Sequence, residues 1–308
     1  MLGNVYHRAL SVPPMLRLAA AALLLAVACR SSKAAPDAGV FDPYARLQRL
    51  HPRLPKPGPD DWRARFEEPP QSFAQYRDVA WGAQRGRSTL YVVVLGDVPA
   101  AHARIIEQTT QLLSVYFSLK VKRLPDVPRA KIPDRAYRQH PVTDDVQLHT
   151  RWVLDELLPP LQPPDALALL AFTADDLFPD PDWNFVFGEA QPLEHTGVWS
   201  LARLGDPVTE PELVLRRTGK TAVHEAGHAF GLAHCAEALC VMNGANSLQE
   251  GDRAPMEPCP ICLKKLQHAF HFDVTARFQR LCAFHTDAGL TAERAECLAS
   301  LDALDAGR

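Results

Sequence analysis

The sequence predicts an α/β domain: a sheet with helices packed on it, a histidine-bearing helix, and a small cysteine-rich lobe near the C-terminus. Three observations predict it. Residues 89–96 (TLYVVVLG) and 166–172 (ALALLAF) are apolar runs of strand length, the form taken by strands buried on both faces. Between them, Ile105, Ile106, Leu112, Leu113 and Tyr116 recur at helical spacing. Downstream, histidines and cysteines crowd into residues 223–262. A hydrophobic content of 47% in 308 residues is enough for a sizeable core, and a net charge of −3 gives no reason to expect a nucleic-acid partner.

In chain order, residues 1–28 place Arg8 and Arg17 ahead of an apolar run at 18–28. That run suits an export signal and is too short to cross a bilayer. It ends Ala26-Val27-Ala28-Cys29, which resembles a bacterial lipobox, so Cys29 is expected to become a lipidated first residue and the membrane to be reached only through that anchor. Cleavage as a plain signal, or a buried helix, are the rival readings. A small polar tether follows at 29–40. The proline-rich stretch 41–88 lacks periodicity and is expected to wrap over the core as an irregular extension.

The main domain is expected over 89–270. It opens with the strand at 89–96, then a helix at 101–119 and a short strand at 121–124. Residues 134–158 read as loop then helix. After the strand at 166–172, the string TADDLF at 173–178 contains Asp175 and Asp176, which read as turn and helix-cap chemistry. Segments 184–188 (NFVFG) and 197–204 (GVWSLARL) read as strands. A helix is expected over 210–232. Gly219-Lys220-Thr221 is the ending of a phosphate-binding loop, but Val214 stands where the earlier glycine belongs, so nucleotide binding is rejected. Helices are expected at 263–288 and 291–304, forming with 271–308 a C-terminal addition. His268, His271 and His285 read as surface or core residues. Cys282 and Cys297 remain as either a disulfide or free thiols.

The chemistry is concentrated in VHEAGHAFGLAH. His224 and His228 are one helical turn apart, so both imidazoles can reach one ion. Glu225 is placed to hold and deprotonate a zinc-activated water. Gly231 can end the helix in a turn that other residues resist, returning His234 as a third ligand and leaving a fourth position open. The full H-E-x-x-H-x-x-G-x-x-H run is far more restrictive than its first half. Cys235 and Cys240, with Cys259 and Cys262 as a C-x-x-C, have the spacing of a closed four-cysteine zinc site; two disulfides are the alternative.

The run H-E-x-x-H-x-x-G-L-x-H-C-x4-C-x-M followed by C-x-x-C resembles the archaemetzincin family of metallopeptidases, in the metzincin clan. The segment HPRLPKPGPDDWRARFEEPPQSF and the strings RAYRQH, NFVFG and GVWSLARL are similar to segments of its longer, animal-type members. The resemblance implies a zincin-type α/β fold, a mixed, twisted sheet lying over the helix that carries His224 and His228, and two zinc ions. His224, His228 and His234 would hold the catalytic zinc, Glu225 would be the base, and the four cysteines would hold the structural zinc. Met242 would be the Met-turn residue beneath the metal, and one of the two later strands would pair with extended substrate. The expected function is a zinc-dependent peptidase acting on peptides or proteins, aminopeptidase action being an implication of the resemblance. A non-catalytic zinc-stabilised lipoprotein module and a zinc amidohydrolase acting on a non-peptide amide are the alternatives. Location in the cell envelope, by lipid anchor, is the expectation from residues 1–29.

Overall fold

The computed structural model describes residues 42–78 and 87–306; the expected signal, the tether and Cys29 lie outside them. Three short helices come first: α1 (Pro43–Leu47), capped by the Asp42 carboxylate, α2 (Trp62–Arg65) and α3 (Phe73–Asp78). Proline-rich sequence cannot sustain longer ones. Each nevertheless drives one large side chain, Leu47, Trp62 or Tyr76, into the interior.

β1 (Thr89–Leu95) is buried along its whole length. Its side chains alternate between two cores: Leu90, Val92 and Val94 meet the helices on one face, while Tyr91, Val93 and Leu95 meet the other face. α4 (Ala100–Phe117) then crosses back and stops at Ser118, whose φ of 54° is left-handed, and β2 (Lys120–Arg123) pairs in parallel with β1. β3 (Tyr137–Gln139) and β4 (Val146–His149) follow, then the single turn α5 (Thr150–Trp152), which continues as a π-helical segment at Val153–Leu157. β5 (Ala166–Thr173), β6 (Asp176–Phe178), β7 (Gly188–Gln191) and β8 (Thr196–Ser200) complete the strands.

The main sheet has the order β2-β1-β5-β8-β7. Its first four strands are parallel and the edge strand β7 is antiparallel to β8, so the sheet is mixed as expected. β3, β4 and β6 form a separate small sheet. α6 (Pro211–Ala229) packs against α4 and runs beneath β7 and β8. The chain ends with α7 (Leu248–Arg253), α8 (Pro260–Phe270), α9 (Val274–Asp287) and α10 (Thr291–Asp305).

Four local expectations need correction. Residues 134–158 carry two strands, not only loop and helix. Asp176 lies in β6 rather than a turn, held by both Arg203 (2.6 and 2.8 Å) and Gln147 (2.7 Å), an arrangement that no local pattern announces. The segment 184–188 contributes only a bridge at Val186 and the first residue of β7. The helix expected at 263–288 is two helices: His271 takes a left-handed φ of 53°, and the Asp273 carboxylate caps the second. Among the described residues no helix is long and apolar enough to cross a membrane.

Candidate metal centre

α6 carries His224 and His228 on one face. The helix ends where the sequence placed its stop: Gly231 has φ 83°, and the amides of Gly231 and Leu232 turn back to the carbonyls of His228 (2.8 Å) and Gly227 (2.9 Å). His195 adds an Nδ1 contact of 2.9 Å to the Ala229 carbonyl at this end. The turn brings His234 to the other two, and the ligand atoms of the three histidines lie within 4.8 Å of one another.

The tautomers follow from what each Nδ1 touches. His224 Nδ1 meets the Val241 carbonyl at 2.8 Å and His228 Nδ1 meets the Leu232 carbonyl at 2.7 Å. A carbonyl can only accept, so both Nδ1 atoms carry hydrogen and both Nε2 atoms present lone pairs. Those Nε2 atoms stand 3.0 Å apart. Two facing lone pairs repel unless a cation lies between them. Nitrogens at tetrahedral corners about 2.0–2.1 Å from zinc would be about 3.4 Å apart, close to what is seen. The three residues therefore fit a zinc ion.

Glu225 is 2% exposed and lines a cavity of about 100 Å³ beside His224. Burial pushes its carboxyl pKa well above the usual glutamate range. Phe187, Leu204, Val241 and Leu248 give the cavity apolar walls, and Arg217, Thr221, Asn243, Ser247 and Asp252 add polar ones. Lys220 also borders it, but its ammonium is spent on the carbonyls of Gly251 and Ala254, both at 2.8 Å, and so caps α7. The edge strand lies directly above: a methyl placed on Gly188 would come within 3.3 Å of Glu225 Cγ. Beneath, Met242 is 1% exposed and its sulfur underlies Gly227 of α6.

The four cysteines also converge. Their sulfurs lie within 4.8 Å of one another, Cys235 and Cys259 at 3.7 Å, and no disulfide joins them. Thiolates at tetrahedral corners about 2.3 Å from zinc would be about 3.8 Å apart. Cys240 Sγ accepts the amides of Cys259 (3.1 Å) and Met242 (3.4 Å), as a thiolate would. Burial pushes the Cys240 thiol pKa up, while hydrogen bonds from Cys240, Cys259 and Cys262 pull Cys235 far below the usual thiol range. Four sulfurs, three of them on buried residues, cannot all ionise at this spacing without a cation, and a closed zinc site fits them. Cys282 and Cys297 form a disulfide, with a Cα separation of 5.6 Å.

Sequence reasoning gave no role to the extension, yet Glu68 lies against His234: its carboxylate is 2.8 Å from His234 Nδ1. The only local signal was a glutamate pair before two prolines, which says nothing about a contact made 166 positions away.

The profile of Peptidase family M54 matches residues 166–268, spanning β5 to β8, the three histidines and the four cysteines. The chain is similar to archaemetzincin-2 of Homo sapiens, 31% identical over 266 residues that cover 74% of this chain and 73% of that one. It is similar to archaemetzincin-1 of Homo sapiens at 30% identity, over 72% of this chain and 51% of that one. Among solved structures, archaemetzincin from Methanopyrus kandleri is similar with a TM-score of 0.50 and 32% identity, covering 61% of this chain and 97% of its own. These similarities lend no support to the binding-module or amidohydrolase alternatives.

Proposed function

The chain belongs to the archaemetzincin family of zinc metallopeptidases, and on that premise we propose that His224, His228 and His234 hold the catalytic zinc, Glu225 is the general base, and Cys235, Cys240, Cys259 and Cys262 hold a second, structural zinc. The observation that carries this reading is the convergence of three imidazoles, two of them fixed by carbonyls so that Nε2 faces inward. Bound there, zinc supplies Lewis acidity toward a carbonyl and lets water lose a proton near neutral pH.

The protein groups do the rest. Glu225 takes the proton of the attacking water and delivers it to the leaving amine. Its burial suits a carboxylate that shuttles a proton rather than one that stays solvated. Extended substrate lies along β7, whose outer edge can extend the sheet by main-chain hydrogen bonds. One substrate side chain enters the cavity. An apolar cavity of about 150 Å³ takes a benzene ring, so this one of about 100 Å³, with walls of mixed polarity, suits a side chain of modest size. Action at a free N-terminus is the form of peptidase activity this reading favours, by kinship alone. Export and a lipid anchor at Cys29 rest on residues 1–29; the Cys282–Cys297 disulfide supports export, because such bridges persist in oxidising compartments.

The test is Glu225→Gln in the full chain. Parent and variant are expected to hold two zinc ions each by metal analysis, while kcat/KM on a peptide library falls at least about 100-fold in the variant. Equal rates would reject Glu225 as base. Libraries with free and with acetylated N-termini, read by mass spectrometry, separate exopeptidase from endopeptidase action.

A further inference from the structure

His224 and His228 sit on a rigid helix, whereas His234 follows the Gly231 turn and belongs to no helix or strand. The third imidazole therefore needs an external hold. It receives one from the N-terminal extension. Glu68 presents both carboxylate oxygens to His234 Nδ1, at 2.8 and 3.0 Å, and the same carboxylate accepts Trp62 Nε1–H at 3.0 Å. Trp62 is fully buried, with its ring edge-on to His234 at 5.1 Å between centroids. Three residues beyond Glu68, the Gln71 amide donates to the Gly231 carbonyl (3.0 Å) and accepts from the Ala233 amide (3.2 Å), clamping the turn from both ends. The buried Tyr76 hydroxyl then bonds the Phe230 carbonyl at 3.0 Å.

We propose that Glu68 is the positioning residue of the third histidine, and that residues 62–76 complete a metal centre whose ligands all lie more than a hundred residues further on. The inference rests on the reading that the three histidines hold zinc. Its physical content is a difference among the three ligands. His224 and His228 donate Nδ1–H to neutral carbonyls, but His234 donates to a carboxylate. A negative acceptor makes the imidazole a more electron-rich donor and locks its ring orientation, and partners of this kind are worth about 10–100-fold in metal affinity.

The experiment uses full-length protein stripped of metal and titrated with zinc against a competing chelator, with cobalt substitution giving an absorption spectrum of each site. Glu68→Gln keeps the shape but removes the charge, Glu68→Ala removes both, and Glu68→Asp restores the carboxylate. Zinc affinity at the histidine site is expected to fall about 10–100-fold in Glu68→Gln, to fall at least as far in Glu68→Ala, and to recover in part in Glu68→Asp. The cobalt bands of the histidine site should shift in Glu68→Gln while those of the four-cysteine site stay put. Trp62→Phe removes a second donor to Glu68 while keeping a ring against His234, so zinc affinity should fall less than in Glu68→Gln. Parent-like affinity and spectrum in both Glu68→Gln and Glu68→Ala overturn the proposal. So does a loss in Glu68→Ala matched by Trp62→Phe, which is the signature of a purely structural role. If His224→Ala combined with His228→Ala loses no zinc relative to the parent, the histidine site itself is refuted, a result distinct from any obtained at Glu68.

Discussion

Gly227 lies one residue before His228, where α6 passes over Met242. A methyl group there would sit 2.5 Å from the methionine sulfur, well inside van der Waals contact. The neighbouring carbonyl of Val241 holds His224, so Met242 cannot retreat without disturbing that histidine. Gly227→Ala is therefore expected to destabilise the fold by about 1–3 kcal/mol, the usual cost of overpacking a core, measured by urea unfolding. Zinc affinity at the histidine site should weaken with it. A variant as stable as the parent would show that the helix and the methionine can part freely. At this scale the sequence was most readable: the i, i+4 histidines and the helix-ending glycine are local geometry. Glu68 was not readable, because its partner is chosen by the tertiary fold alone.

Among the elements, the strands buried on both faces and the long helices were legible, since their apolar periods are strong. β3, β4 and β6 were missed for a physical reason. They are short, and residues such as Gln147 and Asp176 are buried only because distant groups, Arg203 among them, satisfy them. The break between α8 and α9 was hidden because no glycine or proline marks it; a histidine carries the left-handed turn. α9 supplies the clearest test at this scale. Arg277 is fully buried, paired with Glu257 at 2.9 Å and bonded to the Tyr116 carbonyl at 2.8 Å. It ties α9 to α4 and to the loop that precedes Cys259. Arg277→Ala leaves Glu257 as an uncompensated buried charge and is expected to cost about 3–5 kcal/mol in urea unfolding. A loss below about 1 kcal/mol would mean that water reaches Glu257 readily.

For the molecule as a whole, the helical hairpin α9–α10 closes the structure: α9 packs on α4, and α10 packs on α1. The disulfide between Cys282 and Cys297 spans 15 positions. A loop of that length restricts the unfolded chain by about 3 kcal/mol. Replacing both cysteines with serine should reduce stability by about that amount, read from urea unfolding of oxidised protein. Reductant should lower the parent toward the variant and leave the variant unchanged. If reductant shifts both equally, the four-cysteine cluster rather than this bridge is the sensitive element.

The sheet's central partners, β1 with β5 and β5 with β8, are parallel, and parallel neighbours cannot form by a local hairpin. Such non-local pairing is slow and waits for the later strand to be made. During synthesis, then, the sheet above the cleft closes only after β8 has emerged, and the histidines and cysteines follow it. The Trp62–Gln71 stretch, made before all of these, has no docking surface until the turn at Gly231 exists. A segment synthesised before the sheet is thus seated only after it, and on the proposed role of Glu68 full-strength ion capture waits for that docking.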